Sequence, residues 1–118
     1  MLVRLSKNTF VRIYDDGEIG YVFNQLNRHD RIYTGAGVDL LSALSRTSQD
    51  QEAMIQNLVN QYEGADPLEI YADLTDMLLS LEQGDFVVRG ESEAELLSRD
   101  KSFSYSSEAP KTFIEDFT

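Results

Sequence analysis

The stretch TFVRIYDDGEIGYVFNQLNRHDRIYT, Thr9–Thr34, decides the fold. In TFVRIY (Thr9–Tyr14) apolar or aromatic residues alternate with others, the period of a short strand. Asp15-Asp16-Gly17 supplies turn chemistry, with Gly17 free to take a positive φ. EIGYVF (Glu18–Phe23) reads as a second strand. NQLNRHD (Asn24–Asp30) is polar and loop-like, and DRIYT (Asp30–Thr34) reads as a third short strand, closed by Gly35-Ala36-Gly37. Three such strands in sequence predict an antiparallel sheet.

Beyond Gly37 the period becomes helical. Val38, Leu40, Leu41 and Leu44 mark a first helix. Thr47 or Ser48 is the expected cap of a second, whose stripe is Met54, Ile55, Leu58, Val59 and Tyr62, ending near Gly64. The third helix has the best start signal in the chain: Asp66 at the N-cap, Pro67 at the first helical position and Glu69 three residues after the cap. It should run to about Gln83, with Gly84 taking the left-handed stop, and Phe86-Val87-Val88 should return as a brief strand. The expected fold is α+β and winged-helix-like: a three-stranded antiparallel sheet, three helices and a short closing strand.

Residues 1–90 form the expected domain, and 91–118 an acidic, Ser-rich tail or linker. Within that tail SEAELLSR (92–99) has the composition for one or two helical turns. Phe113, Ile114 and Phe117 are apolar residues without a local partner.

Composition excludes several classes. The 118 residues suit one domain, and 42% are apolar, enough for a modest core. Cysteine is absent and histidine occurs once, His29, so thiolate or multi-histidine metal sites and a cysteine nucleophile are excluded within the chain. The balance of 21 carboxylates against 10 Lys+Arg gives a net charge of −11. With no basic stripe, such a chain is a poor nucleic-acid binder. No apolar run suggests a signal peptide or a membrane span, so a cytoplasmic location is expected.

On the third helix, at about 100° per residue with Leu68 at zero, Ile70, Tyr71, Leu74, Met77, Leu78 and Leu81 fall between about 180° and 300°, a core stripe. Glu69, Asp73, Asp76, Ser80 and Gln83 occupy about 60° to 140°, a solvated acidic face. Leu68, Ala72 and Leu79, with Thr75 beside them, form a second apolar shoulder. That shoulder either packs beneath other parts of the chain or forms one wall of a groove whose other wall is the third strand. If that strand lies at a sheet edge, its unpaired N–H and C=O groups can pair with an extended peptide.

The pattern Asp73-Leu74-x-x-Met77-Leu78-x-x-Leu81, then Gly84-x-Phe86-Val87, resembles the C-terminal half of the PqqD-like family. So do the preceding stripe ending in Gln61-Tyr62 and the start VRLSKNTFVRIYDDGEIGYVF. The resemblance covers roughly residues 2–89. It implies a recognition element for ribosomally synthesised, post-translationally modified peptides. Such a domain holds a precursor's leader segment as an added strand beside the third strand and against the third helix, and presents it to a modifying enzyme.

Carried over by position, the peptide-binding residues would be Asp30, Arg31, Ile32, Tyr33 and Thr34 with Leu68, Tyr71, Thr75, Leu78 and Leu79. Where many members have a Leu-Asn pair, this chain has Ile32-Tyr33-Thr34-Gly35-Ala36-Gly37. The glycine-containing version is similar to domains that accompany radical-SAM peptide maturases. The implied partners are a leader peptide and such a maturase, with no nucleic acid, no membrane, no cofactor and no metal.

No other constellation points to chemistry. Asp15-Asp16 before Gly17 reads as a turn rather than a carboxylate pair. His29 reads as a loop residue. Gly35-Ala36-Gly37 lacks the Lys-Ser/Thr of a phosphate loop. No nucleophile–base–orienter set is present, so the chain reads as a non-catalytic binder. The competing classes are a winged-helix DNA-binding regulator, which would need Lys or Arg on a recognition helix, and a structural module that homodimerises through an edge strand or the tail.

Overall fold

The computed structural model describes residues 1–101. The elements in order are β1 (Leu2–Leu5), β2 (Thr9–Tyr14), β3 (Ile19–Asn24), β4 (Asp30–Thr34), α1 (Ala36–Ala43), β5 (Gln49–Asp50), α2 (Gln51–Val59), α3 (Pro67–Gln83), β6 (Val87–Gly90) and α4 (Glu93–Arg99). The fold is α+β, with two three-stranded antiparallel sheets ordered β5-β1-β6 and β2-β3-β4. The second sheet is the one predicted from Thr9–Thr34, and its hairpin turn holds Asp15, Asp16 and Gly17 at positive φ.

The first sheet was only half expected. The closing strand is present, but its partner is β1, in the register Leu2↔Gly90 to Leu5↔Val87. Four residues with Val3 and Leu5 turned into the core make a strand too short to stand out by alternation. The core lies between the sheets and α1–α3, around fully buried Phe86, Leu74, Leu78, Leu81, Ile55 and Leu41.

Three helix ends differ from expectation. Asp50, rather than Thr47 or Ser48, caps α2, its carboxylate accepting from the Ala53 amide at 2.9 Å, and α2 stops at Val59. Asp66 caps α3 as predicted, accepting from the Leu68 amide at 3.0 Å. Gly84, however, sits at φ −85, and Asp85 takes the left-handed position at φ +62. Gly84 is glycine for space: a Cβ there would lie 2.6 Å from the Phe86 ring and 3.0 Å from the Arg31 guanidinium.

Residues 91–100, grouped with the tail by composition, pack on the domain instead. Ser92 caps α4, Leu96 is completely buried, and α4 rests on β6 and β1. The buried carboxylate of Asp100 pairs with Arg4 at 2.6 Å and accepts from the Lys7 amide. Phe113, Ile114 and Phe117 lie outside the described residues. Among the described residues no helix is long and apolar enough to cross a membrane.

Candidate functional site

Strand β4 pairs only with β3 among the described residues, which leaves its other edge open. Which backbone groups face that edge follows from the register. The Asn24 amide donates to the His29 carbonyl at 3.0 Å, so every second pair along the ladder from there, Val22↔Arg31 and Gly20↔Tyr33, is a hydrogen-bonded pair. Arg31 and Tyr33 therefore spend their N–H and C=O groups on β3. Those of Asp30, Ile32 and Thr34 point outward. The same test on the other side, from the Gln25 amide to the Asn8 carbonyl, gives Thr9, Val11 and Ile13 as the outward groups of β2.

Side chains alternate across β4. Arg31 and Tyr33 turn inward, while Asp30, Ile32 and Thr34 are on the outer face, Ile32 with 71% of its surface exposed. Tyr33 lies against Gly37, where a Cβ would approach the ring carbon Cδ1 to 2.6 Å, so that glycine lets β4 and α1 meet closely. Tyr21, opposite Ile32, donates its hydroxyl to the Asp30 carboxylate at 3.1 Å. Its pKa is raised above the ordinary value, first by partial burial, then by the hydrogen bond to Asp30 and by the negative charge of that residue.

Three contacts of Arg31 fix β4 against α3 and the segment that follows it. Arg31 donates to the Ser80 carbonyl at 2.9 Å and to the Ser80 hydroxyl at 2.8 Å, and its guanidinium lies 5.1 Å from the centre of the Phe86 ring. The loop before β4 is tied to the end of α3 by Asn27, donating to the Gly84 carbonyl, and by buried Asn24, donating to the Asp85 carbonyl. Going up the chain from Asn27 to Arg31 thus means going down it from Gly84 to Ser80. The strand and the helix run antiparallel.

These contacts also say which flank of α3 faces β4. Ser80 lies at about 120° on the helix, next to Asp73 and Met77. Glu82, at about 320°, holds Arg89 of β6 at 3.0 Å on the opposite flank. The shoulder of Leu68, Thr75 and Leu79, with Tyr71 nearby, lies on the Glu82 side.

The structure brings Arg31 of β4 to Ser80 of α3, and sets Leu68 (81% exposed) and Leu79 (37% exposed) on the flank opposite Ser80. Leu78, wholly buried, belongs to the core and offers no surface. Helical spacing separates a shoulder from a core stripe but does not say which flank meets the sheet. The signal for that lay in Ser80, a polar residue opposite an arginine that needed carbonyl and hydroxyl acceptors.

A second surface lies on the outer face of the same sheet, where Phe10, Arg12, Tyr14, Tyr21 and Phe23 line a shallow concavity. His29 stays in the β3–β4 loop.

No protein-family model matches the sequence, and no curated protein does. Among solved structures the chain is similar to one described as TbiB1 in complex with the TbiA(beta) leader peptide. The TM-score is 0.62 and the identity 16%, with 76% of this chain and 99% of that chain covered. The likeness is one of fold.

Proposed function

We propose that this chain binds the leader segment of a ribosomally synthesised precursor peptide by strand addition at β4, beside α3, and presents it to a peptide-modifying enzyme without itself catalysing a reaction. The observation that carries the reading is the row of outward-facing main-chain groups on Asp30, Ile32 and Thr34, which have no strand partner among the described residues, on a strand that Arg31 ties to Ser80 of α3. An edge of this kind is a template for an extended guest, main-chain bonds supplying affinity and alternate side chains specificity. The likeness to TbiB1, a protein solved with a leader peptide, supports the same reading. So does the PqqD-like resemblance, which also makes a radical-SAM maturase the enzyme partner to test first.

The DNA-binding alternative fares worse. From Asp66 to Val88 there is no Lys, Arg or His, while Glu69, Asp73 and Asp76 are exposed, and a helix of that charge repels phosphates.

Titration of the isotopically labelled chain with the precursor peptide encoded beside it tests the proposal. Micromolar or tighter binding is expected, with amide shifts concentrated in Asp30–Thr34 and Asp73–Ser80. Binding that moves neither segment, or no binding, would overturn it.

A further inference from the structure

The Ser80 flank of α3, which Arg31 ties to β4, carries both apolar and acidic residues. Met77 and Ile70 are half-buried on the side of α3 that meets β4, while Asp73 and Asp76 stand exposed a little further round the helix. Neither carboxylate is paired with a cation among the described residues. The one cation of β4, Arg31, is occupied by Ser80 and Phe86.

A strand added to β4 would send alternate side chains to the inner face, opposite Tyr33, and to the outer face, beside Ile32. An inner side chain meets apolar surface first and carboxylates at its far end. That sequence of environments suits the long aliphatic stem and charged head of Lys or Arg. Successive inner positions on a strand are about 6.6 Å apart. Asp73 and Asp76, three residues apart, are separated by about 4.5 Å along the helix axis, close enough to that spacing for neighbouring inner residues each to find a carboxylate.

We infer that the guest is a cationic strand, with Lys or Arg at its inward alternate positions, facing Asp73 and Asp76, and apolar residues at the outward positions beside Ile32. This rests on the strand-addition reading above and specifies the class of peptide it takes.

Two capped nonapeptides test it against the full chain, one alternating Lys with Val and the other Glu with Val. Affinities are read by titration and the site by amide shifts. The Lys–Val peptide should bind roughly five- to tenfold more tightly, a preference that shrinks at high salt. The preference should vanish in the double variant Asp73→Asn, Asp76→Asn. Ile32→Pro should remove binding of both peptides, with Thr34→Pro as a second block should the first variant lose its fold.

Equal binding of the two peptides at β4 would overturn the charge inference and leave strand addition standing. A Lys–Val preference that survives both proline variants would mean general attraction to an acidic chain and would overturn the inference too. If neither peptide binds, the inference fails, and the encoded precursor then decides strand addition on its own.

Discussion

Among the described residues the β2-β3-β4 sheet has two open edges, and they are not equivalent. On β2 the outward groups belong to Thr9, Val11 and Ile13, and the Thr9 carbonyl is already taken by the Arg46 guanidinium at 2.5 Å, which also reaches the Ser6 carbonyl and lies over Phe10. On β4 the outward groups of Asp30, Ile32 and Thr34 have no protein partner among the described residues, and α3 runs antiparallel alongside. An arginine capping the strand's first carbonyl discourages further pairing at the β2 edge. At the second edge the arginine turns inward instead, Arg31 holding Ser80 of α3 and leaving the outward groups free of it. An unpaired edge becomes a binding site where a neighbouring element gives the guest side chains something to recognise.

Proline substitution separates the two edges most sharply. Ile32→Pro removes an outward N–H without breaking the β3 ladder, and it should weaken binding of the precursor peptide at least about tenfold. Ile13→Pro does the same to the β2 edge and should leave affinity within about twofold, measured in the same titration.

Gly37→Val acts on β4 from behind. Its side chain needs the space of the Tyr33 ring, so stability should fall by about 1–3 kcal/mol, and affinity should fall with it as Tyr33 shifts, read by thermal unfolding and titration together.

Arg31→Ala should cost about 1–2 kcal/mol by removing the Ser80 bonds and the Phe86 contact, and it should loosen β4 from α3. Arg46→Ala, the counterpart on the other edge, should leave peptide affinity unchanged while raising self-association in sedimentation.

The smallest effect is a titration. Asp30→Asn should lower the Tyr21 pKa toward its ordinary value, followed by ultraviolet absorbance. In the unaltered chain the raised pKa means that the fold favours the protonated phenol. The corresponding stability is complete below about pH 10 and is lost as pH rises through the folded-state value.

The β2-β3-β4 sheet was legible because its strands alternate and are joined by Asp-Asp-Gly and a polar loop, both local signals. The core stripe of α3 was legible from helical spacing. The hidden parts depend on distance along the chain. Strand β1 exists because β6, over eighty residues later, completes it, and α4 is held by Leu96 and by Asp100 meeting Arg4, partners no local window contains. Strand β4 could be named as Asp30–Thr34 because a strand next to a glycine turn is recognisable alone. The flank of α3 that faces it could not, because Leu68 and Leu79 stand out as apolar whichever way the helix is rotated. Only the Arg31–Ser80 and Arg89–Glu82 contacts set that rotation.

Amide hydrogen exchange at single residues of β4 tests the central claim most directly. In the free chain Arg31 and Tyr33 should be protected, while Ile32 and Thr34 exchange rapidly. On saturation with the precursor peptide the Ile32 amide should become protected as well. An Ile32 amide already slow in the free chain, or one indifferent to bound peptide, would contradict the account.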